Sequence, residues 1–352
     1  MTWRIRAVDP HADRAGVAAL VVACYGTAGV TQAAFDHWHF GLGDGAQGMS
    51  VAVDGDHLVG MQPMELTTHL LGGRAVTAGV LTGVMVHPDY RRRGIFSALV
   101  QACEEEAWRR GAALVWTMPN DRSRRGFIKA GYLEPGERRL HVWSRRPESM
   151  LRRRAPRWLA STCAWSLRFV IGRLPSVQGT RVEQAEPDDP RLAEVAIAHQ
   201  AHWPGLVQQR DEVWLHWRYA TPGRPPYLVR LATDLQGRGL AWAVGALEMR
   251  EGLQVGYLVD WLGMDDDALI ACGVDLLTAL HDLGADLVMA VVASQSQQAQ
   301  LRRLGMRVLA PGLAPKRFYT VYRPAPGLGE EDLAQLRERK HWFQSIADWD
   351  TL

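Results

Sequence analysis

Residues 84–96 read Val84-Met85-Val86-His87-Pro88-Asp89-Tyr90-Arg91-Arg92-Arg93-Gly94-Ile95-Phe96. An apolar strand ends at His87-Pro88, and the chain turns through Asp89-Tyr90. It then meets three successive arginines, reaches Gly94 and opens straight into a helix expected over Phe96–Arg110. In that helix Leu99, Val100, Cys103 and Ala107 form an apolar stripe, Glu104–Glu106 fall on another face, and Gly111 stops it. A helix start exposes unpaired N–H groups and the positive end of the helix dipole, which suits a pyrophosphate. Gly94 lets the backbone come close to it. Three arginines alone read as a solvated loop; strand, proline, arginines, glycine and helix in this order read as a phosphate site.

The sequence around this segment alternates. Before it come a strand at Thr2–Val8, helices at Ala15–Cys24 and Gln32–Phe40, a hairpin around Asp54-Gly55, and strands at Met61–Leu70 and Ala75–Val86. After it come an apolar strand at Ala113–Thr117, a short helix and a strand at Arg139–Trp143. The same order restarts at Thr180 and closes with a strand at Arg317–Tyr322. The expected fold is α/β with a mixed (α+β) sheet: two copies of one domain in tandem, each a twisted mixed sheet flanked by helices. The expected segments are 1–148, a basic linker or helix over 149–179, and 180–352. The second copy reaches its long helix through Asp265-Asp266-Asp267 instead of arginines. Those carboxylates suit the helix dipole but repel pyrophosphate.

Composition narrows the function classes. At 352 residues the chain has room for about two domains of ~100–200 residues. A hydrophobic fraction of 47%, a charged fraction of 22% and a net charge of +2 fit an ordinary globular protein and speak against a whole-chain nucleic-acid binder. Residues 145–173 carry eight Arg and one Glu, so this stretch holds +7 and the remainder −5. The membrane alternative is peripheral contact through 152–173, anchored by Trp158, Trp165 and Phe169. No apolar run approaches the ~18 residues of a membrane span, and the start lacks a signal-peptide core. Cys24, Cys103, Cys163 and Cys272 are far apart, which fits a reduced cytoplasmic compartment. Gly43–Gly48 matches GxGxxG but precedes a strand, so no dinucleotide site is expected. His37 and His39, or His199 and His202, lack companion ligands, and no metal is expected.

The 84–97 segment resembles the phosphate loop of the GNAT acyltransferase superfamily, R/Q-x-x-G-x-G/A, with Arg91, Gly94 and, near the second small residue, Ser97. Met118–Tyr132 resembles the superfamily's P-N-x-x-S-x-x-G-F-x-K-x-G-Y/W segment. The chain's single Asn, Asn120, stands at that Asn. The resemblance implies an acyl-CoA cosubstrate, acetyl-CoA first. Its pyrophosphate would be held by Arg91, Arg92, Arg93, Gly94, Ile95, Phe96 and Ser97, and its pantetheine would lie along Val84, Met85 and Val86. Asn120, Ser123 and Phe127 would complete the site. The implied partner is a small-molecule or sugar amine; the oligomeric state stays open. Arg210–Tyr219 and Trp342–Asp350 resemble R-D-x-x-x-L-x-W-R-Y and W-F-x-x-x-x-D-x-D of a bacterial tandem-GNAT subgroup.

Catalysis is less legible. Many family members place Glu on the fourth strand, and here that strand has none. Glu65 on the preceding strand is a candidate base, and Asp348 and Asp350 are others if the tail folds over the first cleft. Phe127 stands where many members carry a Tyr acid. That departure keeps a second reading open, a non-catalytic acyl-CoA sensor.

Overall fold

A computed structural model describes residues 3–26, 32–42, 48–146, 173–177, 179–220, 226–309, 314 and 316–349. Most of the basic stretch expected at 149–179, Gly43–Gln47 and Asp350 lie outside them. No described helix is long and apolar enough to cross a membrane.

The chain is a mixed α/β structure with three sheets. The first holds β1 (Arg4–Ala7), β2 (Ser50–Asp54), β3 (His57–Gln62) and β6 (Met85–Val86), in that order. The second centres on β4 (Met64–Leu71), β5 (Arg74–Leu81) and β7 (Leu114–Thr117). Its β4–β5 hairpin turns at Gly72 and Gly73, with φ of 56° and 78°, the positive pair a two-residue hairpin turn requires. Helix α1 (Arg14–Tyr25) covers the first sheet with Val17 and Leu20. Helix α3 (Ile95–Arg109) buries Ile95 and Leu99 against β3 and Val100, Cys103 and Ala107 against the second sheet. Between α1 and β2 lies α2 (Gln32–Phe40), and α4 (Asp121–Lys129) follows β7.

The third sheet belongs mainly to the second half of the chain. It orders β15 (Arg307–Val308), β8 (Glu137–Trp143), β14 (Leu287–Val292), β13 (Leu253–Gly263), β12 (Gly239–Arg250), β11 (Leu228–Thr233) and β9 (Arg181–Ala185). Around it stand α5 (Pro190–Ala201), α6 (Glu212–Tyr219), α7 (Asp266–Asp282) and α8 (Gln295–Arg303). Strands cross between the halves. From the first, β8 runs antiparallel to β14, Val288 opposite Trp143 and Val292 opposite Arg139. From the second, β17 (Val321–Pro324) runs antiparallel to β7 and β10 (Leu206–Gln208) antiparallel to β4, so the second sheet reads β10-β4-β5-β7-β17.

Three strands expected to be continuous are broken, and the one expected at Met61–Leu70 divides at Pro63 between β3 and β4. The strand expected at Ala75–Val86 divides into β5 and β6, which join different sheets. At the break Gly83 adopts a φ of 43°, and Gln62 Nε2 donates to both Pro63 O and Thr82 O at 2.8 Å, a side chain standing in for the ladder. The strand expected at Arg317–Tyr322 splits at buried Thr320, whose hydroxyl donates to Gln344 Oε1. Phe318–Tyr319, β16, pairs with β8, and β17 pairs with β7. After α9 (Glu330–Arg337), the tail crosses back over both halves: Trp342 packs on Trp116 and Tyr322 of the second sheet.

Candidate active site

Strands β5 and β7 run parallel from Ala78↔Leu114 to Leu81↔Thr117, where Thr117 Oγ1 donates to Leu81 O at 2.6 Å. There they part. One chain continues to Met85–Val86 alongside β3, while the other turns at Met118-Pro119 into α4. The result is a wedge with Val84, Met85 and Val86 along one edge. His87 N donates to Val59 O at 2.9 Å, and Val86 lies opposite Gly60. Antiparallel ladders alternate bonded and non-bonded pairs, so the Val86 N–H points away from β3, toward the open side.

The Arg91–Gly94 loop lies at the head of this wedge. Arg92 and Gly94 both take left-handed backbone conformations, φ 63° and 83°, and Gly94 caps α3. A Cβ at Gly94 would meet nothing nearer than Trp3 at 4.0 Å, so the backbone conformation rather than space calls for glycine. The first-turn amides of Ile95, Phe96 and Ser97 have no acceptor within the helix. Arg91, Arg92 and Arg93 are exposed. Arg91 Nε reaches Val86 O at 3.4 Å, and Arg93 donates to Asp89 O and stacks over Tyr90. His87 has a structural part: its Nδ1 accepts from Asp89 N at the turn.

Helix α4 forms the opposite wall. Asn120 caps it, Oδ1 accepting from the amides of Arg122 and Ser123 at 3.0 Å each, and Ser123 Oγ lies 3.3 Å from the same oxygen. Phe127 is 1% exposed and packs edge-on against Phe96 and Tyr132, a core position rather than the wedge surface. Gly126 lets Phe96 close against α4, since a Cβ there would lie 2.5 Å from the ring.

Below the wedge is a small cleft lined by Trp38, Glu65, Thr82, Gln208, Trp217 and Asp348, among others. It brings Glu65 and Asp348 together, 283 positions apart in sequence. Glu65 accepts from the Thr82 hydroxyl at 3.3 and 3.4 Å. Asp348 closes a 3-10 turn, Ile346–Asp348, with Oδ2 accepting from Ser345 N at 2.7 Å. Its Oδ1 accepts from Arg210 at 2.8 Å, and Arg210 also holds Asp260 at 2.6 Å between the rings of Trp214 and Phe343. Burial pushes the Asp348 carboxyl up, against the pull of the shared Arg210 guanidinium. Sequence reading missed Arg210, Asp260, Gln208 and Arg138 as parts of this neighbourhood; the R-D and W-R-Y motif was the available signal for Arg210. Nearby thiols are poor nucleophiles: burial raises Cys24 and drives buried Cys103 up to about 12. Among the described residues, no group of three or more His, Cys, Asp or Glu is placed to hold a metal.

Residues 5–132, which carry the wedge and the loop, match the family profile of the acetyltransferase (GNAT) domain. Over that stretch, about a third of the chain, the protein is similar to the GNAT superfamily. Solved structures agree with this GNAT fold over most of the chain. A GCN5-related N-acetyltransferase from Anabaena variabilis superposes with a TM-score of 0.66 at 13% identity, covering 92% of this chain and 73% of that one. A conserved Enterococcus faecalis protein described as a probable N-acyltransferase gives 0.65 at 14% identity, with the same 92% and 73% coverage. Saccharomyces cerevisiae N-myristoyltransferase, solved with myristoyl-CoA, gives 0.60 at 13% identity, covering 96% of this chain and 84% of that one. At these identities the likeness is one of fold. No curated protein matches the chain in sequence.

Proposed function

We propose that the protein is an acyl-CoA-dependent N-acyltransferase, acetyl-CoA its first donor, acting on an amine by direct attack. The observation that carries this is the wedge between β5 and β7, with a left-handed, arginine-bearing helix start at its head and a two-carboxylate cleft at its foot. The first-turn amides and Arg91–Arg93 would hold the diphosphate, the Val84–Val86 edge would pair with the pantetheine amides, and Asn120 and Ser123 would flank the arm. The outward Val86 N–H would stabilise the oxyanion that forms on the thioester carbonyl. Glu65 and Asp348 would bind the acceptor as its ammonium and take the proton that frees its lone pair, directly or through water. The nitrogen then bonds to the acyl carbon and the C–S bond breaks. A thiolate with an ordinary pKa of about 8.5 departs without a strong acid, so Phe127 in place of a Tyr donor is compatible with turnover. In this reading residues 1–148 supply the acyl-CoA domain, 149–179 a basic linker, and 180–352 a second, loop-less copy that shapes the cleft.

Acetyl-CoA calorimetry with thiol-release assays on an amine panel tests this. Glu65→Gln and the pair Asp348→Asn, Asp350→Asn are each expected to lower kcat about 100-fold with the acetyl-CoA Kd unchanged. Full activity in both variants would remove the carboxylates from the mechanism. The missing Tyr favours one other reading, a sensor, for which acetyl-CoA binds and no amine releases thiol.

A further inference from the structure

The buried charges around the cleft are nearly all satisfied. Asp348 and Asp260 share Arg210, and Glu65 has the Thr82 hydroxyl. Arg218 donates to Ala347 O, Trp349 O and the Tyr227 hydroxyl. Arg138 is the exception. It is 3% exposed, and its Nε and Nη1 have no hydrogen-bond partner among the described residues. A guanidinium offers five donors and keeps its charge, so leaving the three on Nε and Nη1 buried and unbonded is costly. The charged groups that act on it are Asp348, which attracts it, and Arg339, which repels it. Strand alternation puts Arg138 on the same face of β8 as Leu140 and Val142. That face packs into the cluster holding Trp38, Trp217, Ala347 and Trp349, the cleft's own walls, and Met118 at the foot of the wedge packs on its margin.

We propose, resting on the N-acyltransferase reading, that Arg138 is a specificity residue that receives a carboxylate carried by a substrate. Glu65 and Asp348 line the cleft, and Arg138 lies on the face of β8 that packs against its walls; carboxylates and a guanidinium so placed suit a molecule bearing both an amine and a carboxylate. The same guanidinium would equally take the far carboxylate of a dicarboxylic acyl group, so the carboxylate has two sources.

Matched pairs separate them. The acceptor arm compares tryptophan with tryptamine and lysine with cadaverine, using acetyl-CoA. The donor arm compares succinyl-CoA with butyryl-CoA. Each is measured by thiol release, and by calorimetry where no thiol is released, on the full chain, Arg138→Met and Arg138→Lys. The expected result is a preference of at least about 10-fold for the carboxylate member in one arm, which names the source. Arg138→Met should bring that pair within about 3-fold, leave its uncharged member unchanged and melt no lower than the parent. Arg138→Lys should keep part of the preference. No preference in either arm, a preference that survives Arg138→Met, or a large fall in melting temperature on that change each overturns the proposal. Failure of the underlying enzyme reading shows separately, as absent thiol release with every pair including the uncharged amines.

Discussion

The molecule contains two wedges of the same kind, and they have opposite ends. In the first half β5 and β7 part after Leu81↔Thr117. In the second, β13 and β14 run parallel only from Val255↔Leu287 to Tyr257↔Met289 and then part in the same way. The first leads to a helix capped by Gly94 behind three arginines. The second leads to a helix capped by Asp265, whose side chain accepts from Ala268 N, with Asp266 and Asp267 in the first turn. The first wedge ends over a cleft. The second is closed by the chain's own tail: Gln297 Nε2 donates to Gln344 O, Ser345 joins Asp260 and Gln297 in its lining, and the Ile346–Asp348 turn lies on β13 and β14. One geometry thus serves two purposes. Where the helix start is positive it is suited to a diphosphate; where it is acidic, the opening seats the segment that carries Asp348 to the other cleft.

The exchanged strands offer the most drastic way to break this comparison. Residues 1–148 expressed alone lack β10 and β17, and their β8 has lost its partner. The fragment is expected to be insoluble or unfolded by circular dichroism and to bind no acetyl-CoA. A folded, binding fragment would mean that the first wedge needs nothing from the second half.

Next comes Gly94→Asp, which gives the first helix start the character of the second. Left-handed strain of about 1–2 kcal/mol, added to charge repulsion, should weaken acetyl-CoA binding about 100-fold. Calorimetry reads this directly, and a shift under about 3-fold would count against the phosphate role of the loop.

A third test uses pH. His69 lies under the first cleft, accepting from Trp116 Nε1 at 3.2 Å, and burial holds it down to about 3. His141 on the exchanged strand β8 is held down to about 4, again by burial first. Both are neutral when folded and ordinary when unfolded, so the unfolded chain takes up more protons below about pH 6.5. Their contribution is intact above that pH and is lost as pH falls toward 4. Each should cost about 2 kcal/mol between pH 7 and pH 5, seen in urea midpoints. His69→Gln should flatten its share of that slope.

The smallest effect is expected at the second helix start. Asp265→Ala removes a side-chain cap and should cost about 1 kcal/mol of stability. It should create no second acyl-CoA site, because the tail fills that wedge.

Much of this was legible locally. Arg91–Ser97 and Asn120–Phe127 carry their geometry in short-range signals: a glycine at a left-handed cap, an Asn before a helix, an apolar stripe. The acidic replacement at Asp265–Asp267 was equally local. What local pattern could not supply was pairing. Glu137–Trp143 reads as a strand, but nothing within it names Leu287–Val292 as its neighbour, and Arg317–Pro324 gives no sign of dividing between two sheets. Arg138 was invisible for the same reason: an arginine becomes a buried charge short of partners among the described residues only once the face it occupies is known. Phe127 was placed on the cofactor from its motif position, whereas its contacts with Phe96 and Tyr132 put it in the core.

In the proposed function, one wedge of the two takes acyl-CoA. Titrating the intact chain with acetyl-CoA by calorimetry tests it most directly. One molecule bound per chain is expected, with stoichiometry unchanged by Asp265→Ala. Two molecules per chain, or none, would contradict it.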